Sequence, residues 1–285
     1  MPLPDFSAWN FDIDRFLNPF IPPPPWRFLP YPISYWFGYR KGSPRNVGNL
    51  VAIFWAFIGV FCAILIIEAA SRHVHSFQEH GAPIIIASFG AAAVLEFFAI
   101  DSPLAQPRNA VFGQVIASII GVGVCKLFAL SPHFESIRWV GGALACATTT
   151  AVMALTKTVH PPAGATALLA VTNDDSLKLG WYLIPVMLLG CALMLGTALL
   201  VNNIQRRFPT YWWTAADLSR PKPADNGAGV DIESKLTPTS SSSDQGSSAG
   251  DEPQLVVRRG AVLAPDQVSL SPEEKAFLEE LSKKI

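Results

Sequence analysis

Two short stretches combine residue types that rarely share membrane depth: "DSPLAQPRN" (101–109), with Arg108 after a proline, and "KTVHPPAGATALLA" (157–170), with Lys157, His160 and two adjacent prolines. Proline at the first helical position loses nothing, because its missing N–H would be unpaired there. Pro107 and Pro161 therefore mark helix starts. Small residues keep the first turns uncrowded: Asn109, Ala110 and Gly113 after the first, Ala163, Gly164, Ala165 and Thr166 after the second. Open helix N-termini present free N–H groups and partial positive charge, which together favour an anion. With Arg108 beside one end and Lys157 and His160 beside the other, the expected chemistry is the holding of a small inorganic anion.

Each of these residues also has a plainer role open to it. Arg108 and Lys157 lie near span ends and can snorkel to headgroups. His160 can act as a pH-sensitive gate or simply cap a turn by bonding backbone. Glu96, inside "ASFGAAAVLEFFAI", can carry a coupling proton, pair with Lys157 or Arg108, or sit in the interface zone.

The elements that must position them are membrane helices. Half of the 285 residues are hydrophobic and only 15% are charged, well below the roughly one quarter usual in soluble domains. Five apolar stretches approach or exceed the roughly 20 residues that span a bilayer: Val47–Ala70, Pro83–Ile100, Asn109–Leu130, Val140–Thr158 and Leu179–Ile204. The fold expected is an all-α membrane protein, a polytopic bundle of five long transmembrane helices plus a short half helix after the His-Pro-Pro motif, with a disordered tail.

Residues 1–46 read as a proline- and aromatic-rich arm at the membrane interface, and 47–205 as the transmembrane domain. Residues 206–270 read as an interfacial stretch followed by a disordered polar linker that includes "TPTSSSSDQGSSAGDEP". Residues 271–285 read as a short amphipathic helix, with Ser271 as cap and Pro272 at its first position. The N-terminus has no basic region before an apolar core, so the first span is expected to direct insertion.

Basic residues cluster at Arg40, Lys41 and Arg45 and again at Arg206 and Arg207, so both termini are expected in the cytosol. That requires an even number of crossings. Pro161–Thr172 supplies the missing one, although twelve residues reach only about 18 Å of a roughly 30 Å core. Extended residues around Asn173–Ser176 are expected to complete it. Non-helical backbone at that depth needs protein or a water-filled cavity around it. The two hairpins around the proline turns look alike, as the weak internal repeats of transporters do.

Small residues recur every four positions at Gly113, Ala117, Gly121 and Cys125, and at Gly142, Cys146, Thr150 and Ala154, which suits close helix packing in lipid. The four cysteines, Cys62, Cys125, Cys146 and Cys191, fall within spans without ligand spacing and read as packing residues. No metal, cofactor or nucleic-acid partner is expected. Paired carboxylates, GxSxG, HExxH and a Cys/His pair are missing from the spans, and the sequence has no Walker motif, which argues against an enzyme or an ATP-driven pump.

"ASFGAAAV", "DSPLAQPRN" and "HPPAGATALLAV" together resemble the HPP family of integral membrane proteins, over roughly residues 45–205. The resemblance implies a small helical bundle with a transport role, and plant plastid and cyanobacterial members are associated with nitrite transport. It also implies one signature at Ser102, Pro103, Gln106, Pro107, Arg108 and Asn109, and another at His160, Pro161, Pro162, Gly164 and Thr166. The function expected is a transporter or channel for a small inorganic anion, with nitrite leading. The bilayer and the anion are its partners, and a homo-oligomer is plausible for so small a bundle. The alternative is a non-transporting scaffold or sensor whose tail docks a partner.

Overall fold

The computed structural model describes residues 10–22, 24–42, 47–83 and 85–216, and the backbone of two short strands further on. The chain divides into two units, residues 1–223 and 224–285. In the second, Val256–Arg258 pairs antiparallel with Ala261–Leu263, Val257 standing opposite Val262. Apart from these strands, the expected polar linker from 217 to 270 and the amphipathic helix at 271–285 lie outside the described residues.

The first unit is helical, and its long apolar runs form helices because only helices satisfy their own backbone in lipid. The arm carries α1 (Asp14–Leu17) and α2 (Tyr31–Trp36), and α3 (Asn49–His73) follows. Next come α4 (His75–Glu79), α5 (Ser88–Phe97), α6 (Pro107–Phe128) and α7 (Phe134–Leu155). The bundle closes with α8 (Pro161–Thr172), α9 (Asp174–Leu179) and α10 (Leu183–Asn202). Four segments are long and apolar enough to cross a membrane, namely α3, α6, α7 and the 174–202 run, rather than five. The second expected span is the ten-residue α5. Nor do extended residues complete α8: Asn173 alone is extended, and its side chain caps α9 by accepting the Asp175 and Ser176 N–H groups at 3.1 and 3.0 Å.

Short α5 is held by aromatic wedges. Phe97 and Phe89 are buried, and their rings lie where a Cβ on Gly59 of α3 or Gly190 of α10 would fall, 2.1 and 2.0 Å from ring carbons. Glycine at these two points lets the rings seat directly on neighbouring backbones, and such close approach is the main attraction between helices in lipid. The lipid-facing side of α3 carries exposed Leu50, Phe54, Phe57, Phe61 and Leu65.

α6, α7 and α8 form the second packing group. A Cβ on Gly121 would lie 2.7 Å from the Ala170 methyl, and one on Gly113 would lie 2.8 Å from His160 Cβ, so the small stripe of α6 packs closely, and its partner is α8. On α7 the buried stripe is Gly142, Ala145, Thr149 and Met153; Thr150 and Ala154 are exposed and Cys146 is half-buried. A strict four-residue repeat drifts around a helix of 3.6 residues per turn, whereas the 3–4–4 spacing stays on one face.

One end of the bundle gathers both proline turns. Trp55, near the start of α3, donates to Gln205 Oε1 at 2.8 Å. The carbonyls of Glu96 and Phe97, at the end of α5, receive Asn202 and Arg206 at 2.8 Å each. At the other end, Arg138 in α7 clasps the end of α8 through the carbonyls of Val171 and Thr172 (3.2 and 3.1 Å) and pairs with Asp174 at 2.8 Å. α8 therefore runs toward the far end, and α3, α5, α6, α7, α8 and α10 alternate in direction. The arm and the segment after α10 consequently meet at the same end.

They meet through side-chain donors, most of which reach main-chain carbonyls. Arg40 donates to Asn203 Oδ1 and the Arg206 carbonyl, both at 2.8 Å, and to the carbonyls of Tyr35 and Tyr39. Asn203, fully buried, donates to the Trp36 and Leu199 carbonyls at 3.0 Å and also bonds Phe208. Arg207 donates to Gly38 O and Trp212 to Phe37 O, each at 3.0 Å. Gly38 has φ +87, and a Cβ there would fall 2.5 Å from Pro209 O, so glycine is needed on both counts. Arg40 and Arg207 thus stitch the arm and 203–213 into a cap, and Arg206 ties that cap to the end of α5, rather than only marking a basic interface.

Candidate functional site

Under the cap lie the heads of α6 and α8. Gln106, fully buried, adopts an extended backbone as the N-cap of α6. Its amide donates to the Ile100 and Ser102 carbonyls at 2.9 Å, and its Oε1 accepts the Thr210 N–H at 2.9 Å. Ser102 caps the 3₁₀ turn Pro103–Ala105 by accepting the Leu104 N–H at 3.2 Å. Asn109 donates to the Val159 carbonyl at 2.9 Å, which ties the head of α6 to the turn before α8. The side-chain polar groups of these three residues engage protein; they build the site's walls.

The expected cations do come together. Arg108, 5% exposed, donates to Asp14 Oδ1 at 2.7 Å and to the Thr156 carbonyl at 3.0 Å, and its guanidinium lies 4.2 Å from the centre of the Trp213 ring. Its buried Nε has no partner. Lys157, held at φ +53 after α7, places Nζ 2.8 Å from Asp12 Oδ1 and 3.8 Å from Asp14 Oδ2. Asp12 and Asp14 belong to the arm and escape a motif reading. The only local signal is an acidic pair two residues apart in "NFDIDRF". Trp213 is itself fixed by donating to Asn18 Oδ1 at 3.0 Å. Around this centre, burial pushes the Tyr211 hydroxyl up while Arg108 opposes it, and burial holds the Arg206 guanidinium below its ordinary range.

α8 offers fewer donors than an open N-terminus would. Pro161 and Pro162 remove two of its first N–H groups, and the Ala163 N–H already bonds the His160 carbonyl at 2.9 Å. The head of α8 contributes side chains instead. His160 is fully buried, with Nδ1 2.9 Å from the Leu104 carbonyl. A carbonyl only accepts, so Nδ1 carries the hydrogen and Nε2 is the acceptor of the neutral ring. That Nε2 has no protein partner. Gly164 is buried, with room for a Cβ at 3.6 Å from Cys146 Sγ.

Deeper in, Thr166 Oγ1 lies 2.7 Å from Gln114 Oε1 and 2.8 Å from Ser88 Oγ, so one hydroxyl joins α5, α6 and α8. Gln114 Nε2 and Thr149 Oγ1 are buried and unpartnered. Ser88, within "ASFGAAAV" but not singled out there, and Gln114, outside every motif, join Thr166 at this depth. A glutamine in mid-span, costly in lipid unless used, is the signal that points to it.

Glu96 stands apart. It is 3% exposed, its Oε2 is unpartnered, and the carboxylates that meet Arg108 and Lys157 are those of the arm. Among the described residues no group of three or more His, Cys, Asp or Glu is placed to hold a metal ion.

Residues 45–209 match the family model described as "HPP, transmembrane region". Two transmembrane proteins of Dictyostelium discoideum are similar. One is 36% identical over 190 residues, covering 64% of this chain and 65% of its own. The other is 35% identical over 187 residues, covering 64% of this chain and 58% of its own. The chain thus spans less than two thirds of either relative. No solved structure matches. The family match takes in both proline turns, the heads of α6 and α8 and every long helix of the bundle: this chain is an integral, multi-pass membrane protein of the HPP transmembrane region family.

Proposed function

We propose that the chain is a transporter or channel for a small inorganic anion, with nitrite the leading candidate, and that it is not an enzyme. The observation that carries this reading is the pairing of Arg108 and Lys157 at the heads of two proline-started helices, with the unpartnered buried donors of Gln114 and Thr149 within the bundle. Cations at the mouth draw an anion in, and neutral amide and hydroxyl donors beneath replace part of its hydration without trapping it as a fixed charge would. Ser102, Gln106 and Asn109 hold the mouth's shape, Gly164 keeps the head of α8 narrow, and Thr166 lines the deeper passage. Glu96, unpaired in the bundle, is the candidate carrier of a coupling proton. The capped end faces the cytosol, as its arginines favour. Nitrite itself rests on the family resemblance.

The test is uptake into proteoliposomes holding purified protein, with nitrite compared against nitrate, formate and chloride. Saturable nitrite flux, lost in Arg108→Ala and reduced in His160→Ala, is expected. A folded protein that moves no anion faster than empty liposomes would sink the reading. Deleting 217–285 separates it from the scaffold alternative, because transport tolerates the deletion and a docking tail does not.

A further inference from the structure

We propose that residues 10–22 form a tethered ligand: the Asp14 carboxylate, with Asp12 beside it, occupies the seat between Arg108 and Lys157 that a free planar two-oxygen anion takes when the arm lifts. This rests on the anion-site reading above and adds both the shape of the anion and a means of control.

The shape follows from what fills the seat. A carboxylate presents two equivalent oxygens on one plane, and the Arg108 side presents a planar fork of donors, the pairing in which guanidinium selects for geometry as well as charge. Asp14 uses one oxygen on Arg108 Nη2 at 2.7 Å and leans the other toward Lys157 Nζ at 3.8 Å. Formate and nitrite share this bent arrangement of two terminal oxygens. Chloride, a sphere, cannot span the two cations in the same way. The Trp213 ring closes the remaining face of the guanidinium.

The control follows from the layering of the two contacts. The inner pair is dry: the side chains of Arg108 and Asp14 are 4% and 12% exposed. The outer pair is wetter, with Lys157 at 46% and Asp12 at 33%. Exposed ion pairs are weak and exchange readily with salt, so the arm opens from the Lys157–Asp12 side and uncovers Arg108 last. A short tether gives such a resident group an effective concentration in the millimolar range. Free anion must outcompete it, and the arm sets the concentration at which the site fills.

The experiment uses the full chain purified in detergent, as wild type, Asp14→Asn and Asp12→Asn. Asparagine keeps the shape and removes the charge. The thermal unfolding midpoint is followed against sodium formate, sodium nitrite and sodium chloride at constant ionic strength. In Asp14→Asn the half-saturating concentration of formate and nitrite is expected to fall at least about tenfold, with a smaller fall in Asp12→Asn and no specific shift with chloride. Should Asp14→Asn fold poorly, formate or nitrite is expected to restore its midpoint toward wild type; failure to restore it overturns the proposal. An unchanged half-saturating concentration, or an equal response to chloride, also overturns it and leaves the carboxylate a structural staple. Proteoliposome flux separates the two readings. Tighter binding with no flux in any variant keeps the tethered ligand and removes transport, whereas wild-type flux without tighter binding removes the tethered ligand alone.

Discussion

Replacing Gly113 by alanine puts a methyl carbon 2.8 Å from His160 Cβ, 3.0 Å from the Thr158 carbonyl oxygen and 3.3 Å from Met153 Sδ. Carbon atoms rest about 3.5–4.0 Å apart, so the closest contact is short by about 0.7 Å or more. Neither of the two nearest atoms is a loose side-chain end. The His160 ring is pinned to the Leu104 carbonyl, and the Thr158 carbonyl belongs to a turn whose N–H bonds Met153 O at 2.9 Å. The head of α8 must therefore retreat from α6, and overpacking of this kind costs about 1–3 kcal/mol. Gly123, on the same helix, has nothing within 4 Å of its added Cβ. Alanine there meets open space and gains up to about 1 kcal/mol of helix propensity. That gain is common to both positions, so the two variants should differ by the overpacking alone, about 1–3 kcal/mol, in equilibrium unfolding from mixed micelles. Equal midpoints would refute the close approach of α6 and α8, and with it the placement of His160 at the site.

Three more outcomes follow from the same contacts. Thr166→Val keeps the volume but strips the hydroxyl from Gln114 and Ser88, and should cost about 1–3 kcal/mol in the same unfolding assay. Asn203→Ala removes the bonds that join the arm to 203–208; a loss of about 2–3 kcal/mol is expected, together with faster protease cleavage within residues 10–42. Glu96→Gln, close in size, should abolish proton-driven accumulation of anion while leaving exchange between equal concentrations intact. If exchange is lost as well, Glu96 does not act through a coupled proton.

Much of the bundle is legible in the chain because lipid makes local sequence decisive. Pro107 and Pro161 mark the starts of α6 and α8, and α8 ends at Thr172, as its pattern suggests. The run 83–100 misleads because mean hydropathy cannot register where backbone leaves the helix. It counts Pro83, Ile85 and Ile86 with the ten residues that do form α5. α7 begins at Phe134, six residues before its apolar run, because Arg138 finds Glu135, Asp174 and two carbonyls to meet its charge. The site is less legible. Arg108, Lys157 and His160 announce themselves as polar groups in apolar surroundings, but Asp12 and Asp14 reach them across more than 90 residues of chain, as the Arg108–Asp14 bond shows at a separation of 94. No local pattern encodes such a pairing. Likewise the buried face of α7 depends on where α6 and α8 lie, which a four-residue count of small residues does not specify.

The cap has a consequence for how the protein is made. Its two halves come from opposite ends of the transmembrane domain: Arg40 meets Asn203 across 163 residues, and Asn18 meets Trp213 across 195. During synthesis the arm leaves the ribosome before the bundle, yet its stitching partners emerge only after α10. The arm therefore settles only after the bundle has been translated. Until residue 213 has been added, the mouth at Arg108 stands without the tryptophan that covers it, so the entrance is sealed only after every helix of the bundle has been made.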